Sequence, residues 1–258
     1  MKALKELYAY RQMINGLVKM DLRGRYKGSV LGFLWTFINP LLQLLVYTLV
    51  FSVIMRNGIE KYYIYLFVGL VPWLFFSTSL TTGAGSVISN KEMVKKIYFP
   101  REVLPISVVT SGFINMLFCF IVIFAVLLVT GYGVSLRAII YLPIIMLVEY
   151  ILTLGFTMLV AGFTVYFRDL EYILGIITMA WMYVTPVFYS VDIVPEMIRP
   201  IINFNPMSPI IVAYQQILYY KQPPELSTLG LALAIGSISL VIGYIVFRKL
   251  QKGFAEEL

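Results

Sequence analysis

The sequence is poor in the residues that carry most enzyme chemistry. Its 258 residues include no histidine and only one cysteine, Cys119, which lies within an apolar run. Without histidine, the usual general base, the Ser–His arrangement and the commonest metal ligand are all missing. A single cysteine excludes an intrachain disulfide and does not favour a metal cluster. We therefore expect no catalytic residue, no metal site and no cofactor bound by this chain.

Two further absences narrow the class of protein. No G-x-x-x-x-G-K-[ST] phosphate loop is present, so ATP-driven work would need a nucleotide site in another chain. Only 13% of the residues are charged while 60% are hydrophobic, with a mean hydropathy of +0.87. Too little polar surface remains to cover a soluble globule of this size. The net charge of +7 is not read as a nucleic-acid signal, because its cations fall in the loops between apolar runs.

What the sequence does contain is a series of six long apolar stretches. They cover 30–55, 62–88, 103–130, 138–166, 173–190 and 228–247, and their lengths are typical of membrane-spanning helices. Alternate loops carry 15 of the 20 lysines and arginines. The other side has only Arg56, Lys61, Arg137, Arg199 and Lys221. By the positive-inside rule, both termini are expected in the cytoplasm, with the chain crossing the membrane six times.

Three segments outside these stretches have their own patterns. Residues 2–24 show helical periodicity with a basic side, which predicts an amphipathic helix lying at the cytoplasmic interface; a helix packed on a soluble partner would use the same pattern. Residues 91–99 form a short helical stretch ended by Pro100. Within 195–220, two apolar pieces too short to cross indicate a re-entrant external hairpin. The predicted fold class is an all-α integral membrane protein with one domain.

Aromatic and polar residues recur together within three of the apolar stretches. Such a pattern suits a sugar passage, because rings stack on the apolar faces of sugars while amides and hydroxyls exchange hydrogen bonds with sugar hydroxyls. The alternative is that the rings are interfacial anchors and the amides join neighbouring helices. The candidate passage residues are Trp35, Asn39, Gln43, Tyr47, Phe51, Trp73, Phe76, Ser77, Thr81, Thr178, Trp181, Thr185, Phe188 and Tyr189.

Glu149 is the only carboxylate placed well inside a predicted span. Acids at such depth often serve as proton or ion sites, which would indicate a secondary transporter. We favour a structural role, because no second titratable group is expected beside it within the membrane.

Long segments of the sequence resemble one family of membrane proteins. The segments are LRGRYKGSVLGFLWTFINPLLQLLVYTLVFS (22–52), PWLFFSTSL (72–80), KKIYFPREVLP (95–105) and FRDLEYILGIITMAWMYVTPVFYSVDIVPEMIRPIINFNPMSPIIVAYQQIL (167–218). They resemble the permease subunit of ABC exporters for O-antigen, capsule and teichoic-acid polymers, in order and spacing nearly end to end. The resemblance implies a homodimer working with two copies of a separate P-loop ATPase that binds ATP and Mg. The implied cargo is a polysaccharide on an undecaprenyl-diphosphate lipid.

The resemblance also implies roles for particular segments. It implies a conduit lined by the first, second and fifth spans, which are the three spans that carry tryptophan here. Cations at its inner mouth, Arg23, Arg25 and Lys27, could attract the lipid diphosphate, although topology alone would place cations there. The segment that resembles the ATPase-coupling helix comprises Lys91, Glu92, Met93, Val94, Lys95, Lys96, Ile97, Tyr98 and Phe99. The residues that resemble external gate helices include Pro195, Ile198, Ile202, Met207, Ile211 and Tyr214.

Three alternatives stay open at this point. A teichoic-acid exporter belongs to the same family, and the sequence does not separate the cargoes. A proton-coupled secondary transporter would use Glu149. A membrane glycosyl- or phosphotransferase is disfavoured by the missing histidine and the lack of paired acidic residues.

Overall fold

The structure is a computed structural model that describes residues 2–24, 28–54 and 58–258, without the side chains of residues 2–4. Every regular element in these ranges is helical and none is a strand, which confirms the all-α prediction. The helices are α1 (Lys2–Ala9), α2 (Arg11–Gly24), α3 (Trp35–Thr48), α4 (Tyr62–Ala84), α5 (Ser86–Ser89), α6 (Lys91–Lys96), α7 (Val103–Val129), α8 (Leu136–Ile139), α9 (Leu142–Tyr166), α10 (Leu170–Val184), α11 (Arg199–Phe204), α12 (Ser208–Leu218), α13 (Leu226–Leu250) and α14 (Phe254–Glu257).

Five helical segments within the described residues are long and apolar enough to cross a membrane. They are Gly32–Ile54, Tyr62–Ala84, Val103–Val129, Leu136–Tyr166 and Leu226–Glu257. The first joins α3 to a short 3-10 turn before it and a π-helical turn after it, and the fourth joins α8 to α9. Because a bilayer core is about 30 Å thick, each of these segments is long enough to span it.

The helix within the fifth predicted stretch, 173–190, ends before the stretch does. Helix α10 has 15 residues and ends at Val184, a length of about 22 Å. Thr185 adopts an extended conformation, as expected for a residue that precedes a proline. The chain then runs without helix through Pro186 to Phe188, and these side chains are buried in protein. Irregular backbone is tolerated at membrane depth where protein surrounds it.

Helix α4 is at the centre of the bundle and packs on α7, α9 and α12. Most of its side chains are buried, among them Tyr65, Phe67 and Phe76. Helices α9 and α13 run closely together along a glycine-containing seam. Helix α3 is peripheral, because Thr36, Pro40 and Leu44 are its buried residues. The protomer therefore leaves much of α3 to be covered by other molecules.

The N-terminal helices lie against one end of the bundle. Helix α2 packs on the first half of α7, and the Ser111 hydroxyl donates a hydrogen bond to Asp21. A second apolar cluster at this end joins Val94, Phe99, Phe247 and Phe254. The placement of residues 2–24 at a membrane interface stays a prediction. Arg25 and Lys27, and the predicted end of the first stretch at residue 55, lie outside the described residues.

Candidate functional site

The exposed surface of α4 is made of hydroxyl-bearing residues. Thr78 and Thr82 are its two exposed residues and lie four positions apart, so they share one face of the helix. Ser77 and Thr81 beside them are half-buried, and each hydroxyl donates to a backbone carbonyl of its own helix. Hydroxyls gain nothing from contact with hydrocarbon. This face of α4 is therefore suited to water, sugar or protein rather than to lipid.

Helix α3 adds amides to the same polar surface. Asn39 and Gln43 are exposed, and Trp35 one turn earlier is half-buried, with its indole nitrogen donating to Ser29 Oγ at 2.9 Å. Asn39, Gln43 and Thr78 line one crevice between α3, α4 and α7. We call the exposed side chains Asn39, Gln43, Thr78 and Thr82 the polar strip.

The structure corrects the sequence-based prediction for five candidate passage residues. Their side chains are buried within the protomer and so do not form part of its surface; they are Trp73, Phe76, Thr178, Thr185 and Phe188. A four-residue period identifies which side chains share a face but not what that face contacts. Here the shared faces of α4 and α10 meet each other inside the bundle.

Trp181 joins the end of α10 to the segment predicted to form the external hairpin. Its ring lies 6.3 Å from that of Trp73 and 5.2 Å from that of Phe76. Its indole nitrogen donates to Asn205 Oδ1 at 2.8 Å, and the Asn205 amide nitrogen donates to Thr185 Oγ1 at 2.8 Å. Trp181 thus positions the hairpin, while Asn205 is a structural residue that the sequence reading missed.

Three further candidates, Tyr47, Phe51 and Tyr189, are half-buried. The rings of Tyr47 and Phe51 contact Phe188, at centroid distances of 5.1 and 4.8 Å. The Tyr189 hydroxyl donates to backbone carbonyls at the end of α10. These aromatic residues join α3 to the irregular segment that follows α10.

Glu149 has a hydrogen-bond partner that the sequence did not predict. Both Glu149 and Tyr214 are fully buried, and the Tyr214 hydroxyl donates to Glu149 Oε2 at 2.6 Å. Tyr214 belongs to α12, so the bond joins the hairpin to α9. The expectation that Glu149 has no intramembrane titratable partner is wrong. No sequence signal points to this pair, because 64 residues separate its two members.

The two parts of the predicted external hairpin differ in burial. In the first, Pro195 and Ile198 are exposed and Ile202 is buried. In the second, Met207, Ile211 and the partner of Glu149 are all buried in the bundle, where α12 packs against α4, α9 and α13. The predicted pair of short helices is present as α11 and α12. A gating role for them remains a proposal.

The predicted coupling segment combines a buried and an exposed side. Helix α6 ends at Lys96, and an ion pair joins Lys96 to Glu92 at 2.8 Å on its surface. Val94 and Phe99 are buried, whereas Ile97 and Tyr98 are exposed. The segment is therefore anchored through one side and offers apolar surface on the other. Arg23, the one described member of the predicted diphosphate-binding set, is also exposed.

A buried carboxylate at this end of the bundle was also missed. Glu102, which is 3% exposed, accepts from Arg248 Nε at 3.0 Å and from Gln251 at 3.4 Å. Arg248 lies 3.7 Å from Glu6 as well. These contacts join α1, α7 and α13. The sequence contained a signal for this ion pair, because Glu102 directly precedes one apolar stretch and Arg248 directly follows another.

The opposite end of the bundle carries a cluster of tyrosines and lysines. The ammonium groups of Lys221 and Lys61 lie 4.0 and 5.0 Å from the centre of the Tyr132 ring, and that ring stacks on Tyr219 at 5.9 Å. Burial raises the pKa of Tyr132, with a further contribution from Glu60. Burial is also the main cause that raises the pKa of Tyr219, to about 12. Both phenols therefore stay neutral near pH 7, and the cations pack on uncharged rings.

Comparison with known proteins places the chain among membrane transporters. An O-antigen export system permease protein, RfbA of Myxococcus xanthus, is 36% identical over 262 residues, which cover 100% of this chain and 99% of that protein. RfbA of Klebsiella pneumoniae is 35% identical over 94% of this chain and 93% of its own length. The polysialic acid transport protein KpsM of Escherichia coli is 19% identical over 91% of this chain and 92% of its own length.

The family model for ABC-2 type transporters matches residues 13–219. This match covers most of α2 and all of the described helices from α3 to α12, including the polar strip and the predicted external hairpin. The chain belongs to the ABC-2 type transporter family and is a multi-span permease of a bacterial inner membrane.

Proposed function

We propose that this chain is the membrane subunit of an ATP-driven exporter that moves lipid-linked, O-antigen-type polysaccharide from the cytoplasm to the outer face of the membrane. Two copies would work with two copies of a separate P-loop ATPase, which binds ATP and Mg. The relatives that export O-antigen are 34–36% identical to this chain. Those that carry polysialic acid or capsule are 19% and 21% identical. This difference favours O-antigen-type cargo over capsule, while a teichoic-acid polymer stays as the alternative within the family.

The polar strip is the observation that carries this proposal. Asn39, Gln43, Thr78 and Thr82 are exposed on helices long enough to span a membrane. Exposed amides at such depth are costly in lipid, so a second copy of the chain or a wet conduit should cover them. A polymer of many sugars is too long to be enclosed as one unit. It must thread through a continuous path, where repeated weak contacts let it slide without stalling.

Coupling to the ATPase would use the exposed side of the segment 91–99. Ile97 and Tyr98 offer apolar surface, while Val94 and Phe99 tie the segment to the core formed with Phe247 and Phe254. A movement of the ATPase would therefore pass through a packed cluster to α13. Arg23, with Arg25 and Lys27, would attract the lipid diphosphate at the inner mouth.

We further propose six crossings, with both termini in the cytoplasm. The charge distribution supports this topology. Helix α10 and the buried segment after it would together complete the fifth crossing, and α11 with α12 would form the re-entrant external hairpin. The hairpin's contacts to Trp181 and Glu149 would set whether the outer end is closed.

Reconstitution with a candidate ATPase tests the proposal. The purified complex is placed in lipid nanodiscs, and ATP hydrolysis is measured with and without lipid-linked glycan extracted from the producing cells. We expect the glycan to raise the hydrolysis rate several-fold, and a lysine-to-alanine change in the phosphate loop of the ATPase to abolish hydrolysis. A complex that forms but whose hydrolysis ignores every lipid-linked glycan would contradict the proposal.

A further inference from the structure

A crevice inside the protomer lies beside the polar strip. It separates α3 from α4 and α7 and encloses about 240 Å³. A water molecule occupies about 30 Å³ in the liquid, and drug-sized ligand sites begin at about 300 Å³. The crevice is open on one side, and it has room for more than one water. Part of a longer ligand, such as one ring of a sugar chain, could enter it.

Two polar atoms of the crevice walls lack partners. Thr36 on α3 is 2% exposed, and its Oγ1 has no hydrogen-bond partner in the part of the chain that the structure describes. Asn115 on α7 faces the same space, and within the described ranges its Oδ1 is also unpartnered. A buried polar atom without a partner costs free energy. Neither oxygen is exposed in this state, so a hydroxyl-bearing occupant would reach them only after the two side chains rotate toward the crevice.

The other walls suit a ring that has both apolar and polar faces. Trp35 and Phe75 line the crevice, and the indole nitrogen of Trp35 is already engaged by Ser29. Trp35 therefore offers the crevice its apolar ring surface. Asn39, Gln43 and Thr78 line the same space and are exposed, so polar groups stand at its mouth.

We propose that the crevice of each protomer holds one sugar ring of the polymer, inserted sideways from the conduit. With the Asn115 and Thr36 side chains turned toward the crevice, Asn115 Oδ1 accepts a hydrogen bond from a sugar hydroxyl, while the Thr36 hydroxyl donates to or accepts from another. Rings contact the apolar face of the sugar. The inference rests on the proposed function and adds Thr36 and Asn115 to it. It also brings α7 into contact with the cargo, a helix outside the three spans expected to line the conduit.

Such a site would hold its sugar only briefly. Two hydrogen bonds and a mouth open to the strip give weak binding, because each hydrogen bond replaces one with water. Brief occupancy is compatible with a sliding chain. Each repeat of the polymer would bind in the crevice briefly as it passes. While a ring is inserted, backward movement of the polymer would be disfavoured.

Cysteine protection tests the proposal in the assembled exporter. Thr78→Cys, which lines the crevice, and Thr82→Cys, one turn away on the same exposed face, are each made in the parent chain, where the buried Cys119 also lines the crevice and gives the background rate. Membranes containing the chain and its ATPase are prepared from cells with polymer synthesis switched on or off, and vanadate arrests hydrolysis. The rate of modification by a small methanethiosulfonate reagent is then measured at each cysteine.

We expect polymer to slow the modification of Thr78→Cys about fivefold more than that of Thr82→Cys, the difference one hydrogen-bonded contact provides. Equal slowing at both positions would overturn the crevice site and leave the conduit in place. No slowing at either position would contradict the proposed function as well.

A second pair of variants separates occupancy of the crevice from shielding by the conduit. Thr36→Val and Asn115→Leu remove the unpartnered atoms with little change in shape, so neither strands a partner and both should fold. Each is expected to remove the extra protection at Thr78→Cys without altering Thr82→Cys, whereas Thr36→Ser keeps it. Extra protection that survives Thr36→Val with Asn115→Leu would refute the site.

Discussion

The Glu149–Tyr214 pair shows how a single buried acid can be accommodated in this bundle. Both side chains are fully buried, and the hydroxyl of one donates to a carboxyl oxygen of the other at 2.6 Å. The described part of the chain places no cation within ion-pair distance of Glu149. Since the donor is a neutral hydroxyl, a neutral acceptor of the same shape can replace the acid. The hydrogen bond between the two side chains therefore joins α9 to α12.

Substitutions of Glu149 test this structural role. Glu149→Gln keeps an acceptor oxygen, so thermal stability and export should stay close to those of the parent protein. Glu149→Leu strands the Tyr214 hydroxyl and should cost about 1–3 kcal/mol of unfolding free energy. Thermal unfolding in nanodiscs and export in cells measure the two effects.

The double variant Glu149→Leu with Tyr214→Phe provides the control, since it removes both polar partners and should recover part of the loss. Loss of transport in Glu149→Gln with an unchanged melting temperature would instead favour a proton-coupled transporter.

At the residue scale, the sequence predicted which side chains share a helix face more reliably than what each face contacts. The spacing of Asn39 and Gln43 placed both amides on one stripe, and both are exposed. The same reasoning placed Trp73 in a passage, yet it is 2% exposed. Helical periodicity is a local property, whereas burial depends on which helices pack together. Partners such as Asn205 for Trp181 are set by that packing alone.

At the element scale, the seam between α9 and α13 depends on glycines. A Cβ on Gly243 would lie 2.1 Å from the carbonyl oxygen of Gly155, and one on Gly155 would lie 2.4 Å from the carbonyl carbon of Ser239. Both obstacles are backbone atoms, so no side chain can move aside. Close approach of this kind is a usual way for membrane helices to associate.

Alanine at Gly243 should therefore force the two helices apart. We expect Gly243→Ala to lower the unfolding free energy by about 1–3 kcal/mol, as overpacking does. Gly230→Ala is the matched control on the same helix. No atom of a neighbouring element lies within 4 Å of its added Cβ, and alanine's higher helix propensity should leave stability unchanged or raised by up to about 1 kcal/mol. Equal melting temperatures for the two variants would contradict the close packing of α9 and α13 at Gly243.

The exposed side of the proposed coupling segment, 91–99, leads to another prediction. Ile97→Ser with Tyr98→Ser removes apolar surface that is 57% and 85% exposed, while the buried Val94 and Phe99 are kept. The chain should remain stable but bind its ATPase more weakly. Co-purification of the ATPase and the rate of export are the measurements.

Met197→Ser with Ile201→Ser makes the same chemical change at exposed positions of the external hairpin and serves as the control. These residues are 91% and 57% exposed. We expect this control to leave ATPase binding unchanged. Equal loss of binding in both pairs would argue against coupling through the segment 91–99.

Element boundaries show a second limit of sequence reasoning. Apolar composition extended the fifth stretch to residue 190, but helix α10 ends at Val184. Pro186 was visible in the sequence, and proline is tolerated inside other helices here, as Pro40 and Pro72 are. What differs is the surroundings. The segment after α10 bonds to the hairpin, where Gln215 donates to the carbonyl of Pro186 at 2.8 Å, and such contacts replace those of a continued helix.

At the scale of the whole molecule, two features bear on how many times the chain crosses the membrane: the apolar faces that the protomer leaves uncovered, and the distribution of charge among the loops. Helix α3 exposes Leu42, Leu45 and Val46, and α10 exposes Ile176 and Met179. Lipid or a second copy must cover these apolar surfaces. The charge bias orients the loops, but it does so on the assumption that the short helix α10 carries the chain across the membrane. Residues 168 and 197 lie on opposite sides only if it does.

Single cysteines in a Cys119→Ala background test that assumption directly. Arg137→Cys and Met197→Cys should react with a membrane-impermeant maleimide in spheroplasts, in which the inner membrane is intact. Lys95→Cys and Arg168→Cys should react only after that membrane is permeabilised. The parent residues are all exposed in the protomer, so burial alone does not predict a difference in labelling. If Arg168→Cys and Met197→Cys label from the same side, α10 does not cross. That result would overturn the six-crossing topology, and it would conflict with the packing that places Glu6 3.7 Å from Arg248 at one end of the bundle.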